Sequence, residues 1–196
     1  MSAAGAKSTR GLLVVISGPG GVGKGTVCKE LLRDGDMTLS VSVTTRRPRS
    51  DEKEGEHYFF RSREEFARMQ AAGLLLEAAE IAGNLYGTPR AEVEKLLAAG
   101  AVVILEIDVR GGRQVRALAP CLSVFLLPPS TEELEARFRG RGTDDERTLA
   151  ERMALAAEEM KAAAEYDFTV VNDDLARTVA EVRRIILAAR QKEEES

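Results

Sequence analysis

Short apolar runs alternate with helical patterns along most of the chain. Continuous apolar runs occur at residues 12–16, 101–107 and 123–127, and such runs are typical of strands covered on both faces of a parallel sheet. One more strand is predicted at residues 168–171. The segments between them predict helices at residues 23–33, 89–99, 110–118, 130–139, 145–166 and 175–190. This order predicts an α/β sheet with helices on both faces and a ligand site at the carboxyl ends of the strands.

Residues 38–87 interrupt this alternation. They contain short strand candidates at residues 39–44, 58–60 and 74–81, and one short helix candidate at residues 62–72, which predicts an inserted mixed lobe. We expect a single domain with a core of residues 11–37, 89–136 and 154–190, a lobe of residues 38–88 and a further helical segment at residues 137–153. Residues 1–10 and 191–196 are predicted to be flexible ends.

Charge and cysteine content exclude several classes of function. A formal net charge of −4 argues against a nucleic-acid-binding surface, which is usually basic. The apolar runs are too short to cross a bilayer, and no apolar signal region precedes Gly11. Cys28 and Cys121 lie far apart among apolar neighbours, which is typical of free thiols in a reducing compartment. We therefore expect a cytoplasmic protein that binds neither nucleic acid nor membrane.

The most informative motif follows the first apolar run. Residues 18–26 read GPGGVGKGT, and Gly18, Gly23 and Lys24 match the phosphate-binding pattern GxxxxGK. Glycines allow successive backbone N–H groups to face one anion, and the following helix adds its positive end. This strand–loop–lysine context favours a nucleotide phosphate site over a glycine-rich turn made for packing alone. The predicted phosphate-binding residues are Gly18, Pro19, Gly20, Gly21, Val22, Gly23, Lys24, Gly25 and Thr26.

One position departs from that pattern. Gly25 stands where Ser or Thr normally supplies a hydroxyl to magnesium, and Thr26 lies one position later. Direct protein ligands for the metal are therefore not assigned, and Thr26 remains a candidate ligand.

The inserted lobe opens with a segment rich in hydroxyls and arginines. Residues 40–60 read SVSVTTRRPRSDEKEGEHYFF. Alone, such a segment is typical of a solvated loop. Beside a phosphate loop it predicts a second anion site, in which Arg46 and Arg49 chelate a phosphate while Ser42 and Tyr58 donate hydroxyl hydrogen bonds.

These two motifs together make the chain resemble the guanylate kinases, which transfer the γ-phosphoryl group of ATP to GMP. The resemblance extends from the first strand to the segment YDFTVVND at residues 166–173. It implies a three-layer P-loop α/β fold with a mostly parallel five-stranded sheet, a mixed-β lobe that binds GMP and a helical lid at residues 137–153. It also implies that Ser42, Arg46, Arg49 and Tyr58 hold the GMP phosphate.

The resemblance further implies how guanine is recognised. It places the Glu77 carboxylate on the N1 and exocyclic amine donors of guanine, the Thr88 hydroxyl near the guanine carbonyl and Tyr86 by the phosphate. An acid is a sensible discriminator, because adenine presents the opposite order of donors and acceptors. Taken alone, Glu77 is more typical of an exposed strand carboxylate. Ala78 departs from the family, which often has an aromatic residue there.

Asp108 follows a strand and precedes a helix, so it is a candidate N-cap. A carboxylate at the carboxyl end of a sheet strand can also meet a substrate or magnesium-bound water. The resemblance favours a role at the nucleobase and at metal-bound water, and one carboxylate can serve as both cap and ligand. Glu106 is predicted to face the same side.

Three arginines lie in the predicted lid segment. Arg137 and Arg141 are four residues apart, and Arg152 lies beyond the loop TDDERT. This spacing alone is typical of an exposed basic helix face. The resemblance implies instead that all three close over the triphosphate. It also places Asn172 on the adenine side of ATP.

The resulting hypothesis is ATP-dependent phosphorylation of GMP and dGMP to the diphosphates by direct in-line transfer, in purine nucleotide metabolism and GMP recycling. Mg²⁺ accompanies ATP, and no general base is needed because the acceptor phosphate is ionised near pH 7. The oligomeric state stays open. Alternatives are an adenylate kinase, suggested by the KGT ending of the loop, a non-catalytic scaffold module and a general P-loop hydrolase. The predicted catalytic residues are Lys24, Arg46, Arg137, Arg141 and Arg152.

Overall fold

The computed structural model describes residues 11–81, 83–140 and 145–195. Arg141, one of the predicted lid arginines, lies outside these ranges. In chain order the elements are β1 (Leu12–Ser17), α1 (Lys24–Leu31), β2 (Met37–Leu39), β3 (Val43–Thr44), β4 (Phe59–Phe60), α2 (Arg63–Ala71), β5 (Leu75–Ile81), β6 (Asn84–Pro89), α3 (Arg90–Ala98), β7 (Val102–Glu106), α4 (Val109–Leu118), β8 (Leu122–Leu127), α5 (Thr131–Arg139), α6 (Glu146–Met160), β9 (Phe168–Val171) and α7 (Leu175–Glu195).

The main sheet has five parallel strands in the order β2-β7-β1-β8-β9. Every residue of β1 is buried, as expected of a central strand covered on both faces. One face packs against Val27 and Leu31 of α1 and Ile186 of α7. The other packs against Val93 of α3 and Val115 of α4. The predicted three-layer α/β core is therefore confirmed.

A second, four-stranded sheet forms the inserted lobe. Its order is β4-β3-β6-β5, with β3 and β4 parallel and the other pairs antiparallel. Helix α2 covers it, with Phe66 packed against Val43 and Leu75. The N-terminus of α2 is fixed by a reciprocal capping box between Ser62 and Glu65. The predicted mixed lobe is thus confirmed.

The strand predicted at residues 39–44 is wrong as a single element. Residues up to Leu39 belong to β2 of the main sheet, whereas Val43 begins β3 of the lobe sheet. The backbone N–H of Ser40 still donates to Ile104 of β7, at 3.0 Å, before the chain crosses over. The alternation of apolar residues continues across this crossing, so the pattern carries no sign of the change of sheet.

Strand β6 was missing from the sequence prediction. Its sequence, NLYGTP, contains glycine and proline, which are unusual inside strands. The glycine is required here, because a β-carbon at Gly87 would lie 2.9 Å from the carbonyl oxygen of Glu77. Close pairing of β5 and β6 therefore explains the glycine.

The long helix predicted at residues 145–166 is shorter than expected. Helix α6 ends at Met160, and Lys161–Glu165 continue as a 3₁₀ helix. Across the described ranges, no helix combines the length and the apolar character needed to cross a bilayer.

Candidate active site

The phosphate loop joins β1 to α1 at the carboxyl edge of the main sheet. Gly21 (φ 78°) and Gly23 (φ 101°) adopt left-handed backbone conformations, which residues with a side chain rarely adopt. Gly23 also caps α1, and a β-carbon there would lie 2.7 Å from Nδ2 of Asn172. Both glycines are therefore required by the loop geometry, although the motif itself specifies only Gly23 of the two.

Lys24 lies in the loop with negative charge around it. Its Nζ donates to the carbonyl oxygens of Gly18, at 2.7 Å, and Pro19, at 3.2 Å. Burial lowers the pKa of Lys24, while the carboxylates of Glu159, Glu106 and Asp108 oppose that shift. The fold thus surrounds this lysine with three acids from different elements.

Glu159 is a site residue that the sequence did not indicate. It lies on α6, and its Oε2 accepts a hydrogen bond from the backbone N–H of Gly20 at 3.1 Å. Burial raises the pKa of this carboxyl, whereas Gly20 and Lys24 lower it. A carboxylate thus contacts a backbone N–H of the loop that the motif assigns to phosphate.

Arg137 and Asn172 meet at the far side of the phosphate loop. Arg137 donates to the carbonyl oxygens of Val22, at 3.0 Å, and Asn172, at 2.9 Å. The side chain of Asn172 donates to the same Val22 oxygen at 2.7 Å. A cleft of about 340 Å³ opens here, lined by Arg137, Asn172 and Thr26 among others. The structure therefore brings together the first arginine of the predicted lid and the predicted ATP-side asparagine.

Arg152, another arginine of the predicted lid, lies near an aromatic ring. The guanidinium of Arg152 lies 5.8 Å from the ring centroid of Phe138, the last apolar residue of α5. Phe138 also lies against the phosphate loop, within 4 Å of a β-carbon built on Gly20 or Gly21. The prediction for Arg141 concerns a residue outside the described ranges.

Arg46 is organised by an acid that the sequence interpretation missed. Its Nη2 lies 2.7 Å from Oε1 of Glu52, and its guanidinium lies 5.5 Å from the centroid of the Tyr58 ring. Glu52 also accepts from the backbone N–H of Arg49 at 2.8 Å. The Arg46 guanidinium holds the pKa of Glu52 at about 2. Glu52 therefore ties Arg46 and Arg49 into one loop.

Tyr58 and Tyr86 complete this side of the site. Their ring centroids are 6.0 Å apart in an edge-on arrangement, and the Tyr86 hydroxyl helps stabilise the charged form of Arg46. The carbonyl oxygen of Ser42 accepts from the N–H of Phe59 at 2.8 Å, which fixes Ser42 beside β4. Burial raises the pKa of Tyr58, and the nearby charge of Glu106 adds to the shift. The arginine loop and the carboxyl edge of the main sheet are therefore neighbours.

Glu77 is buried, so an exposed strand carboxylate is the wrong interpretation of this residue. Its exposed fraction is 5%, and its Oε1 accepts a hydrogen bond from the Thr88 hydroxyl at 2.8 Å. It lies at an irregularity between β5 and β6, where Gln114 of α4 brackets Ala78 with hydrogen bonds to its N–H and carbonyl. Strand β6 thus bonds the carboxylate itself, and α4 fixes the backbone of the next residue.

The Glu77 carboxyl titrates near neutrality. Burial raises its pKa to about 7; Asp108 adds to the shift and Thr88 opposes it. A carboxyl raised in this way binds its proton more tightly in the folded chain than in the unfolded chain. The stability that it contributes is present below about pH 4.5 and is lost as the pH rises through about 7.

We therefore expect Glu77→Gln to stabilise the ligand-free protein at alkaline pH. The amide copies the protonated carboxyl and still accepts from Thr88. The gain in the free energy of unfolding should be small near pH 4.5 and reach a few kcal/mol above pH 7, since one pKa unit corresponds to about 1.4 kcal/mol. Urea unfolding at pH 4.5, 6 and 8 measures it. A variant no more stable than the parent at pH 8 would contradict the buried, ionised state.

Asp108 is confirmed as the N-cap of α4. Its Oδ1 accepts from the backbone N–H of Gly111 at 2.8 Å. The same carboxylate influences the pKa of both Lys24 and Glu77. Asp108 therefore lies between the phosphate loop and the buried acid of the lobe.

A divalent cation fits the oxygen donors at this edge. Mg²⁺ is usually held by one or two carboxylates together with substrate phosphates. Glu106 and Asp108 are such carboxylates beside Lys24. Within residues 11–81, 83–140 and 145–195, no group of three or more His, Cys, Asp or Glu side chains could hold a metal.

A phosphate loop that leads into a partly buried lysine, an arginine-bearing loop in a separate lobe and a buried acid in that lobe are the features of a P-loop phosphotransferase. The family model for guanylate kinase matches residues 10–189. The chain therefore belongs to the guanylate kinase family, whose enzymes phosphorylate GMP with ATP.

Individual relatives agree with this assignment. The chain is 56% identical over 167 residues to a guanylate kinase of Parasynechococcus marenigrum, which covers 84% of this chain and 92% of the relative. It is 47% identical over 184 residues to a guanylate kinase of Desulfitobacterium hafniense, which covers 93% and 92%. The crystal structure of a guanylate kinase from Anaplasma phagocytophilum aligns with a TM-score of 0.77 at 35% identity, covering 93% of this chain and 88% of that one.

Proposed function

We propose that the phosphate loop holds ATP and that the inserted lobe holds GMP. The loop residues 18–26 and Lys24 bind the ATP phosphates, and Asn172 lies on the adenine side. Thr26 and Arg137 line the same cleft as Asn172, which supports this orientation of the donor nucleotide. Mg²⁺ is the divalent cation that accompanies ATP, and it would supply charge neutralisation at the β and γ phosphates.

GMP binds across the lobe. Ser42, Arg46, Arg49, Tyr58 and Tyr86 hold its phosphate, and Glu77 accepts from the N1 and exocyclic amine of guanine. Thr88 positions Glu77, because its hydroxyl donates to that carboxylate. Asp108, at the end of the main sheet, would contact the acceptor nucleotide and a water bound to the cation. dGMP fits the same contacts, since none of them involves the ribose 2′-hydroxyl.

Phosphoryl transfer is direct and in line. Arg46 holds the acceptor oxygen near the γ-phosphate, and Arg137, Arg141 and Arg152 neutralise the charge that develops on the transferring group. The acceptor phosphate is already largely ionised at neutral pH, because a phosphate monoester has its second pKa at about 6. The enzyme therefore needs no general base and no covalent intermediate.

The observation that carries this proposal is the position of Asp108. Its charge acts on Lys24 of the donor loop and on Glu77 of the lobe. A phosphate-binding lysine and a base-binding acid this close to one carboxylate suit transfer between two nucleotides better than hydrolysis. Both cysteines are free thiols, which supports action in the cytoplasm.

Product analysis tests the proposal. With ATP labelled at the γ-phosphorus, the label should appear in the β-phosphate of GDP and not in inorganic phosphate or on the protein. Label in inorganic phosphate that GMP does not suppress would indicate a hydrolase, and labelled protein would refute direct transfer.

Glu159 should weaken the binding of ATP, because its carboxylate already contacts Gly20. Glu159→Gln keeps a hydrogen-bond acceptor but removes a negative charge beside the phosphates. We expect ATP to bind roughly five- to thirtyfold more tightly, which corresponds to about 1–2 kcal/mol of relieved repulsion. Calorimetric titration of a non-hydrolysable ATP analogue measures the change. Glu158→Gln, at an exposed neighbouring position, is the matched control. Unchanged or weaker binding of the analogue to Glu159→Gln would refute competition between the Glu159 carboxylate and the ATP phosphates.

A further inference from the structure

The phosphate loop lacks the hydroxyl that normally contacts the nucleotide's divalent cation. In the general pattern the residue after the lysine is Ser or Thr, and its oxygen is a metal ligand. In this chain that residue is Gly25. Either the cation has one protein ligand fewer, or another side chain supplies the oxygen.

The space beside Gly25 is taken by the carboxylate of Glu106. A β-carbon built on Gly25 would lie 3.3 Å from Oε1 and 3.6 Å from Oε2 of Glu106. The first distance is tight and the second is an ordinary van der Waals contact, so a side chain at position 25 would crowd this carboxylate. Glu106 ends β7, where it pairs with Ile16 of the central strand β1. The acid is therefore carried by an interior strand of the main sheet.

The surroundings of Glu106 suit a ligand of a hard cation. Burial raises the pKa of its carboxyl and the charge of Lys24 opposes that shift, so the acid shares the environment of the phosphate-binding lysine. Asp108 is less available, since one of its oxygens accepts from Gly111. Thr26 lines the cleft with Arg137 and Asn172, whereas the space beside Gly25 is lined by Glu106.

We propose that Gly25 and Glu106 are a matched pair, in which the Glu106 carboxylate binds the divalent cation of the donor nucleotide in place of the absent hydroxyl. This inference rests on the proposed donor site alone and requires nothing of GMP. The competing explanation is that Glu106 only balances the charge of Lys24 and the positive end of α1.

The quantity that separates the two explanations is the gain in nucleotide affinity caused by magnesium. A non-hydrolysable ATP analogue is titrated into the full chain with excess Mg²⁺ and again with EDTA. The magnesium ratio is the dissociation constant in EDTA divided by the dissociation constant in Mg²⁺. Glu106→Gln should lower this ratio by about tenfold or more, the usual scale for disturbed metal ligation. Affinity in EDTA should hold or rise, because a negative charge is removed. An unchanged ratio would overturn the proposal.

A rescue pair tests the matched geometry. In Gly25→Ser combined with Glu106→Asp, the shorter acid makes room and the serine restores a hydroxyl, so the ratio should return to within about threefold of the parent. In Gly25→Ala combined with Glu106→Asp the same space is filled without a hydroxyl, and the ratio should stay low. Equal ratios for the two pairs would contradict a hydroxyl-for-carboxylate exchange. Thermal unfolding confirms that each variant folds, and the rescue pairs still test the proposal where Glu106→Gln fails to fold.

Failure here is distinguishable from failure of the proposed function. If Glu106→Gln lowers the magnesium ratio but the parent transfers no phosphoryl group to GMP, the proposed function is refuted and the proposed cation site is supported. If the parent transfers the group to GMP and Glu106→Gln leaves the magnesium ratio unchanged, the proposed function is supported and the cation site is refuted.

Discussion

Lys24→Met is expected to lower the rate of GMP phosphorylation by about two to three orders of magnitude, the usual cost of losing one preorganised donor to a developing charge. The loss has a second cause in this protein. Lys24 is the cation among Glu106, Asp108 and Glu159, so its removal leaves three acids facing the ATP phosphates. The effect should therefore appear both in the rate and in the affinity for ATP. Steady-state kinetics with varied ATP measure the two components.

The fold should survive this substitution. Methionine keeps the unbranched shape of the lysine stem and removes only its charged end, and the loop is shaped by the backbone conformations of its glycines. Lys29→Met, at an exposed position on the same helix, is the matched control and should leave the rate unchanged. A Lys24→Met variant that folds and retains more than about a tenth of the parent rate would contradict the role of Lys24 in transfer.

Glu77→Gln is expected to lower kcat/KM for GMP by about two to three orders of magnitude at pH 8. Each hydrogen bond from guanine to an ionised acid contributes about 1.5–3 kcal/mol, and the amide group turns one of the two acceptors into a donor. The parent should also lose affinity for GMP as the pH falls below about 7, because the Glu77 carboxyl has a pKa of about 7 and must give up its proton to accept two donors. This pH dependence should vanish in the variant.

Glu80→Gln is the control for this change, because Glu80 is an exposed acid on the same strand. It should leave GMP kinetics and their pH dependence as in the parent. The ligand-free Glu77→Gln protein is expected to be more stable than the parent at pH 8, so lost activity with raised stability separates a recognition role from a folding defect. Equal GMP kinetics in Glu77→Gln and the parent would remove Glu77 from the guanine site.

The pattern of apolar residues predicted the main sheet because a strand covered on both faces is apolar at successive positions. It failed at residues 39–44, where apolar alternation continues while the chain passes from one sheet to another. It missed β6, because the glycine that weakens the strand pattern is the residue that allows close pairing with β5. Local patterns thus indicate strands and carry little information about which sheet a strand joins.

The sequence predicted those parts of the candidate site whose residues lie close together along the chain. The phosphate loop and the arginine segment each lie within a few consecutive residues. Glu52 could have been found, since an acid six residues after Arg46 can fold back on it within one loop. Glu159 could not, because it reaches Gly20 from 139 residues away. Burial of Glu77 had no local signal, because β5 carries two acids, Glu77 and Glu80, and only Glu77 is buried.

The central claim is transfer of a phosphoryl group to a guanine nucleotide selected by Glu77. The most direct measurement is ADP release from ATP with GMP, dGMP, AMP, UMP and CMP offered in turn to the parent protein. We expect fast release with GMP and dGMP, and rates lower by several orders of magnitude with the other three, because a site built to bind the guanine donors leaves a buried acid unpaired with any other base. Preferential turnover of AMP, or no release with any acceptor, would contradict this account.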